Sequence, residues 1–140
     1  MPNINPYLNF NGNAEEAFNV YKSIFGGEFT AVMRFRDMPP DDSLNESDMD
    51  KIMHISLPVG TNILMGSDIP ESMGQQFRPG NNNYVSLGTD SREEADRAFA
   101  VLSEGGTVEM PIQDVFWGDY FGSLIDRFGI GWMISYAPQS

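Results

Sequence analysis

The chain holds a single histidine, His54, and no cysteine. His54 lies in the run Lys51-Ile-Met-His-Ile-Ser-Leu57, where it alternates with Ile52 and Ser56 on one face while Met53, Ile55 and Leu57 take the other. The first face is the more polar and is the one expected to line a cavity. An imidazole, with an unperturbed pKa of ~6.5, suits proton transfer or hydrogen bonding to a ligand near neutrality. Set against that reading is a histidine satisfied by neighbouring backbone or by Ser56. The residues favour the second, because no other side chain fixes a catalytic role for the first.

A second set of candidates is aromatic. Tyr7, Tyr84, Trp117, Tyr120 and Trp132 can line a cavity for a planar or cationic ligand. Trp117 sits in the loop Phe116-Trp117-Gly118 and reads as a site residue, whereas Trp132, inside an alternating apolar run, reads as core closure. Arg34 and Arg36 fall on one face of an expected strand and would suit an anionic ligand, although such arginines more often make surface ion pairs. Ligand-binding candidates are therefore His54, Tyr7, Arg34, Tyr84, Trp117 and Tyr120, with His54 the one weak catalytic candidate.

Several chemistries are excluded outright. Without cysteine there are no disulfides, thiolate metal sites or thiol nucleophiles. One histidine and no nucleophile-elbow motif leave no Ser-His-Asp order to argue. Acidic residues number 20 against 8 basic ones, a net charge of −12, which repels phosphate backbones and anionic membranes, so nucleic acid is not an expected partner. No apolar run approaches ~18 residues and the first residues lack a secretory pattern, so a cytoplasmic protein away from the membrane is expected. Residues 37–50 hold Asp37, Asp41, Asp42, Glu46, Asp48 and Asp50, but lack the glycine and ligand spacing of a calcium loop and read as solvated chain.

The elements that position these residues come in two copies. Ile4 to Phe10 alternates as a strand; Asn13, with Glu16 three residues on, has capping-box spacing for a helix whose stripe is Ala14, Ala17, Phe18, Tyr21, Ile24 and Phe25. Gly26-Gly27 stops it. Glu28 to Asp37, Lys51 to Leu57 and Thr61 to Asp68 read as strands, the last two joined by Pro58-Val-Gly60. After a Pro-, Gly- and Asn-rich stretch at 69–83, with Met73, Gln75, Gln76 and Phe77 as candidate lid residues, the pattern repeats. Tyr84 to Leu87 lies over Tyr7 to Phe10, Ser91 with Glu94 over Asn13 with Glu16, and Gly105-Gly106 over Gly26-Gly27, an offset of 77 to 79 residues. A strand at Thr107 to Ile112 and a hairpin turning at Gly129 and Gly131 complete the second copy. Neither half holds enough apolar surface to stand alone, so one domain built from two repeats is expected: residues 1–68, a linker at 69–83, and residues 84–140.

Paired strand-helix-strand-strand-strand modules resemble the vicinal oxygen chelate superfamily of glyoxalases, bleomycin and fosfomycin resistance proteins and extradiol dioxygenases. More narrowly, Pro6-Tyr-Leu-Asn-Phe-Asn-Gly12, Ala17-Phe-Asn-Val-Tyr-Lys-Ser-Ile-Phe-Gly-Gly-Glu-Phe29, Met53-His54 and Trp117-Gly-Asp-Tyr-Phe-Gly-Ser-Leu-Ile-Asp-Arg-Phe-Gly129 resemble the PhnB-like branch. The resemblance implies an α+β fold of two βαβββ modules forming a cupped mixed sheet, a homodimer or tightly fused pair of modules, and a cavity on the concave face. Metalloenzymes of the superfamily place ligands on the first strand of each module and near the end of the last. The matching positions here offer Asn5 or Tyr7, Asn83 or Tyr84, and Ser135, so no metal and no cofactor are expected. Members of the branch have often been labelled demethylubiquinone methyltransferases, yet no glycine-rich loop follows a strand as a nucleotide-type cofactor requires. The resulting expectation is a small-molecule binder without the usual metal triad; the alternative is a glyoxalase, lyase or dioxygenase-type enzyme with a non-standard site around His54.

Overall fold

The structure is a computed structural model and describes residues 2–39, 44–73 and 76–138. Asp41, Asp42 and Gln75 of the segments above lie outside the described residues, as does the side chain of Met73. The chain divides into two compact units, Met1–Arg78 and Pro79–Ser140. Among the described residues no helix is long and apolar enough to cross a membrane.

In the first unit, β1 (Tyr7–Phe10), α1 (Ala14–Phe25), β2 (Ala31–Arg34), β3 (Ile52–Val59) and β4 (Asn62–Asp68) build a mixed four-stranded sheet in the order β1-β4-β3-β2. β1 runs parallel to β4, and the β2–β3 and β3–β4 pairs are antiparallel. The predicted stripe Ala14, Ala17, Phe18, Tyr21 and Ile24 packs on one face of this sheet with Phe10, Ile55, Leu57 and Leu64. Phe18 rests over Gly66, where an added Cβ would come within 2.7 Å of its ring. The expected capping box at Asn13 does not form: Asn13 makes no side-chain cap bond. Asp68, 54 residues downstream, accepts from the Ala14 amide at 2.9 Å and the Ile52 amide at 2.8 Å. A buried carboxylate at a helix N-terminus serves the free amides better than the neutral side chain beside it.

The expected strand at 28–37 is shorter. The β2–β3 register shifts between Met33 and Arg34, and Phe35–Asp37 turns as a 3-10 helix, so Arg36 leaves the sheet and Arg34 no longer keeps the alternation. Pro58, read as a turn residue, lies inside β3, whose neighbour β2 pairs no further than Ser56. The acidic segment is also more structured than expected. Asp48, in the 3-10 turn Glu46–Asp48, is 1% exposed, pairs with Lys51 Nζ at 2.8 Å and accepts from the Ser72 amide and hydroxyl. The base that serves it follows the acidic run directly.

The second unit repeats the plan. β5 (Val85–Thr89), α2 (Arg92–Ser103), β6 (Thr107–Asp114), β7 (Tyr120–Ile125) and β8 (Gly131–Tyr136) form a sheet in the order β5-β8-β7-β6, with β5 parallel to β8. Here the local cap forms as the sequence predicts, Ser91 Oγ accepting from the Glu94 amide at 3.0 Å. Ala95, Ala98, Phe99 and Leu102 pack on one sheet face with Leu124, Trp132 and Ile134. Trp132 is 1% exposed, the core residue the alternation predicted. The β7–β8 turn needs Gly129 at φ +92° and closes over Asp126, whose carboxylate accepts from the Phe128 and Ile130 amides at 2.9 and 3.0 Å and from Trp132 Nε1 at 2.9 Å.

Candidate functional sites on the two open sheet faces

In the first unit the face of the sheet opposite α1 carries the chemistry. The register places Tyr7, Met65, Ser56 and Ala31 in one row across the four strands, and Met33 opposite His54 in the next. Tyr7 Oη lies 3.3 Å from Nδ1 of His54, and the two rings sit 5.7 Å apart, tilted by 32°. The hydroxyl donates when Nδ1 is unprotonated. Ser56 does not satisfy His54, since its hydroxyl is bound to Thr30 Oγ1 at 2.7 Å. Tyr7, Met33 and Ile63 are exposed at 46%, 39% and 38%, so the imidazole–phenol pair stands on an uncovered, apolar surface. Arg34 does not join it. Beyond the register shift its guanidinium reaches Glu15 of α1 at 2.7 Å and the Asp50 carbonyl at 2.8 Å, and the Glu15 bond raises its pKa further. Arg36 pairs with Asp50 at 2.8 Å.

In the second unit Tyr84 and Trp117 belong to the face opposite α2, at its two ends. Tyr84 lies flat over Gly131, where a Cβ would sit 2.7 Å from the ring; any larger residue would lift it off. Its hydroxyl donates to Glu109 Oε1 at 2.6 Å, and that bond raises the phenol pKa, so Tyr84 is a committed, neutral donor. Trp117 sits in the turn joining β6 to β7, closed by Gly118 N–H to Val115 O and Val115 N–H to Asp119 O, both 2.9 Å. Its indole donates to Asp119 Oδ2 at 3.1 Å and packs on Phe121 at 5.8 Å. Tyr120 turns the other way. It donates to Asp96 of α2, lies under the Arg92 guanidinium at 4.1 Å, and is raised in pKa first by the Asp96 bond. Of the six candidates, the structure thus brings together Tyr7 with His54, places Tyr84 and Trp117 on one further face, and commits Arg34 and Tyr120 to the helices.

Two features escaped the sequence reading. Thioethers accompany the polar groups on both open faces: Met33 and Met65 in the first unit, Met110 and Met133 in the second. Their alternation was legible, but Met is equally a core residue. The first unit also holds a depression of about 230 Å³ lined by Phe35, Arg36, Met38, Pro39, Leu44, Glu46 and Met49. No candidate residue reaches it, its walls are mainly apolar, and its arginine is already paired, so the open faces carry the recognisable chemistry. Neither face fits a divalent ion. Among the described residues no three His, Cys, Asp or Glu side chains are placed so as to hold a metal ion, and Tyr7, Tyr84 and Ser135 offer hydroxyls where a metal triad needs imidazole or carboxylate.

Two four-stranded βαβββ repeats of this order are the glyoxalase/bleomycin resistance class of fold. The fold recurs in a glyoxalase/bleomycin resistance protein/dioxygenase family enzyme from Burkholderia phytofirmans PsJN, with a TM-score of 0.62 over 94% of this chain and 97% of that one at 15% identity. Within that class the chain belongs to the PhnB-like family, whose model, described as 3-demethylubiquinone-9 3-methyltransferase, matches residues 2–135. It is 41% identical to protein PA1353 from Pseudomonas aeruginosa, whose crystal structure matches with a TM-score of 0.87 over 99% of this chain and 100% of that one. A putative 3-demethylubiquinone-9 3-methyltransferase, PhnB protein, from Bacillus cereus shares the fold at TM-score 0.79 and 24% identity, over 97% of this chain and 100% of that one. Protein YjdN of Escherichia coli (strain K12) is 32% identical over 144 residues, covering 99% of this chain and 97% of YjdN.

Proposed function

We propose that this PhnB-like protein binds a modest-sized organic molecule in an aromatic-lined cavity built on its open sheet faces, without the usual metal triad. The observation that carries this reading is the Tyr7–His54 pair, 3.3 Å apart, beside half-buried Met65 and exposed Met33 and Ile63. An apolar floor with two convergent polar groups is the pattern of a ligand site. Tyr84 and Trp117 mark the two ends of the open face of the second unit; Arg34 and Tyr120 stand outside. On this reading the two repeats act as one domain, with 69–83 as its linker or lid, and the protein works as a cytoplasmic homodimer.

A second reading, an enzyme of glyoxalase, lyase or dioxygenase type, draws on the same pair: a phenol hydrogen-bonded to an imidazole can pass a proton to or from a bound substrate. One experiment separates the two. Thermal-shift and calorimetric screening of aromatic, oxo-acid and antibiotic-like compounds against wild type, Tyr7→Phe and His54→Ala is expected to find a saturable binder weakened about tenfold or more in His54→Ala. A binder indifferent to both substitutions refutes the site. Stoichiometric divalent metal in purified protein, lost in His54→Ala, replaces the binding reading with the enzymatic one.

A further inference from the structure

We propose that the β6–β7 turn, Trp117 with Phe116 and Asp119, is the contact for a planar organic cation of the N-alkylpyridinium kind, which names the ligand class for the binding function above and rests on it. Folding does not call for these rings. The two central positions of a tight turn are normally filled by small or polar residues, and here Gly118 at φ +103° supplies the required conformation. Phe116 is nevertheless 96% and Trp117 54% exposed. Their rings meet at 89° with centroids 5.0 Å apart, giving two aromatic walls at a right angle. Contact with Phe121 and the bond from the indole N–H to Asp119 hold the ring in place, so its exposed part is organised before any ligand arrives.

Charge then selects the class. The register aligns Thr89, Tyr136, Tyr120 and Asp114 across this end of the sheet on the α2 side, where Asp96 is bound to Tyr120, while Asp119 is the carboxylate bound to Trp117. Arg92, the guanidinium at the same end, is tied to Asp114 at 2.8 Å and stacked on Tyr120, on the α2 side. The same combination of ring, cation and carboxylate is thus completed internally around Tyr120. At Trp117 it lacks the cation: among the described residues the cations found over rings lie on Phe29, Tyr120 and Phe128. An exposed indole with a carboxylate at its N–H edge, in a chain of net charge −12, attracts a planar cation and repels an anion of the same shape.

The chain has two tryptophans, so ¹⁵N-labelled protein gives two indole N–H signals, and buried Trp132 acts as internal reference. Titration with 1-methylnicotinamide, nicotinamide and nicotinate compares cation, neutral and anion on one ring. The Trp117 signal is expected to move saturably, with the cation bound about five- to tenfold tighter than nicotinamide, nicotinate weakest, and added salt eroding the difference. Asp119→Asn keeps an acceptor for the indole; it should lower cation affinity to near that of nicotinamide and leave nicotinamide unchanged. Nicotinamide binding as tightly as the cation refutes the class while leaving small-molecule binding in place. Silence of Trp117 to all three, while other ligands perturb Tyr7 and His54, refutes the turn as the contact. A Trp117 signal that shifts with protein concentration alone shows a second copy on the rings and overturns the proposal, and silence toward every ligand removes both readings.

Discussion

Asp126→Ala tests the account of how the closing hairpin is held. The Asp126 carboxylate is 4% exposed and accepts from the Phe128 and Ile130 amides in the turn and from the indole N–H of Trp132, itself 1% exposed. Truncation removes the Asp126 acceptor from the indole N–H in a region water does not reach, which costs about 1–3 kcal/mol. The two turn amides add about 0.5–1.5 kcal/mol each, and removing a buried charge returns part of the total. The net expectation is a loss of about 3 kcal/mol, or ~10 °C in Tm for a chain of this size. Urea unfolding followed by far-ultraviolet circular dichroism reads it. The mechanism is isolated by a double-mutant cycle with Trp132→Phe, which keeps the ring shape and removes the donor. The double variant should be less destabilised than the sum of the singles by about 1 kcal/mol. A loss under about 1 kcal/mol for Asp126→Ala, or a cycle that closes to zero, would refute the reasoning.

Two further outcomes follow from the buried carboxylates of the first unit. Asp48 is held below the usual carboxylate range, first by Lys51 and then by Ser72, with burial opposing. A depressed pKa gives stability that is present above the unfolded value of ~3.9 and lost as pH falls through the folded one, so the urea midpoint should drop between pH 5 and pH 2 and drop less in Asp48→Asn. The two helix caps should also differ: Ser91→Ala removes one local bond at the start of α2 and should cost about 1 kcal/mol, whereas Asp68→Ala frees the amides of both Ala14 and Ile52 inside the core and should cost at least twice as much by the same urea titration. Equal costs would refute the view that α1 depends on a tertiary cap.

Element order was legible because it rests on periodicity. The helical stripes, the double glycines and the alternating runs each report which face is buried, and each unit carries its helix and four strands in the expected order. What was not legible depends on partners distant in the chain. Asn13 followed by Glu16 has the local spacing of a cap, but Asp68 outcompetes it, and nothing near Ala14 announces a carboxylate 54 positions away. The β2–β3 irregularity after Met33 is likewise a property of the pair, and beyond it Arg34 reaches Glu15 while His54 stays opposite Met33. At the candidate sites the aromatic types were visible and their directions were not. Trp117 faces outward because a turn closes beneath it; Tyr120, three residues on, begins a strand whose pleat aims it at Asp96.

The repeat itself marks where sequence overlay stops being a guide to chemistry. Both sheets must seat an aromatic residue from their helix, and both do so over a glycine: Phe18 over Gly66 and Phe99 over Gly122. Gly66 lies on the last strand of its module, whereas Gly122 lies on the one before it, so the same packing problem is solved on different strands. Tyr7 and Tyr84 diverge for a related reason. Tyr7 is the first residue of β1 and pairs with Met65, within reach of His54; Tyr84 stands one residue outside β5 and leans on Gly131, its hydroxyl spent on Glu109. Residues that align in the repeat therefore need not share a role. The imidazole–phenol pair belongs to the first unit and the aromatic corner beside a carboxylate to the second, which is why each open face has its own ligand test.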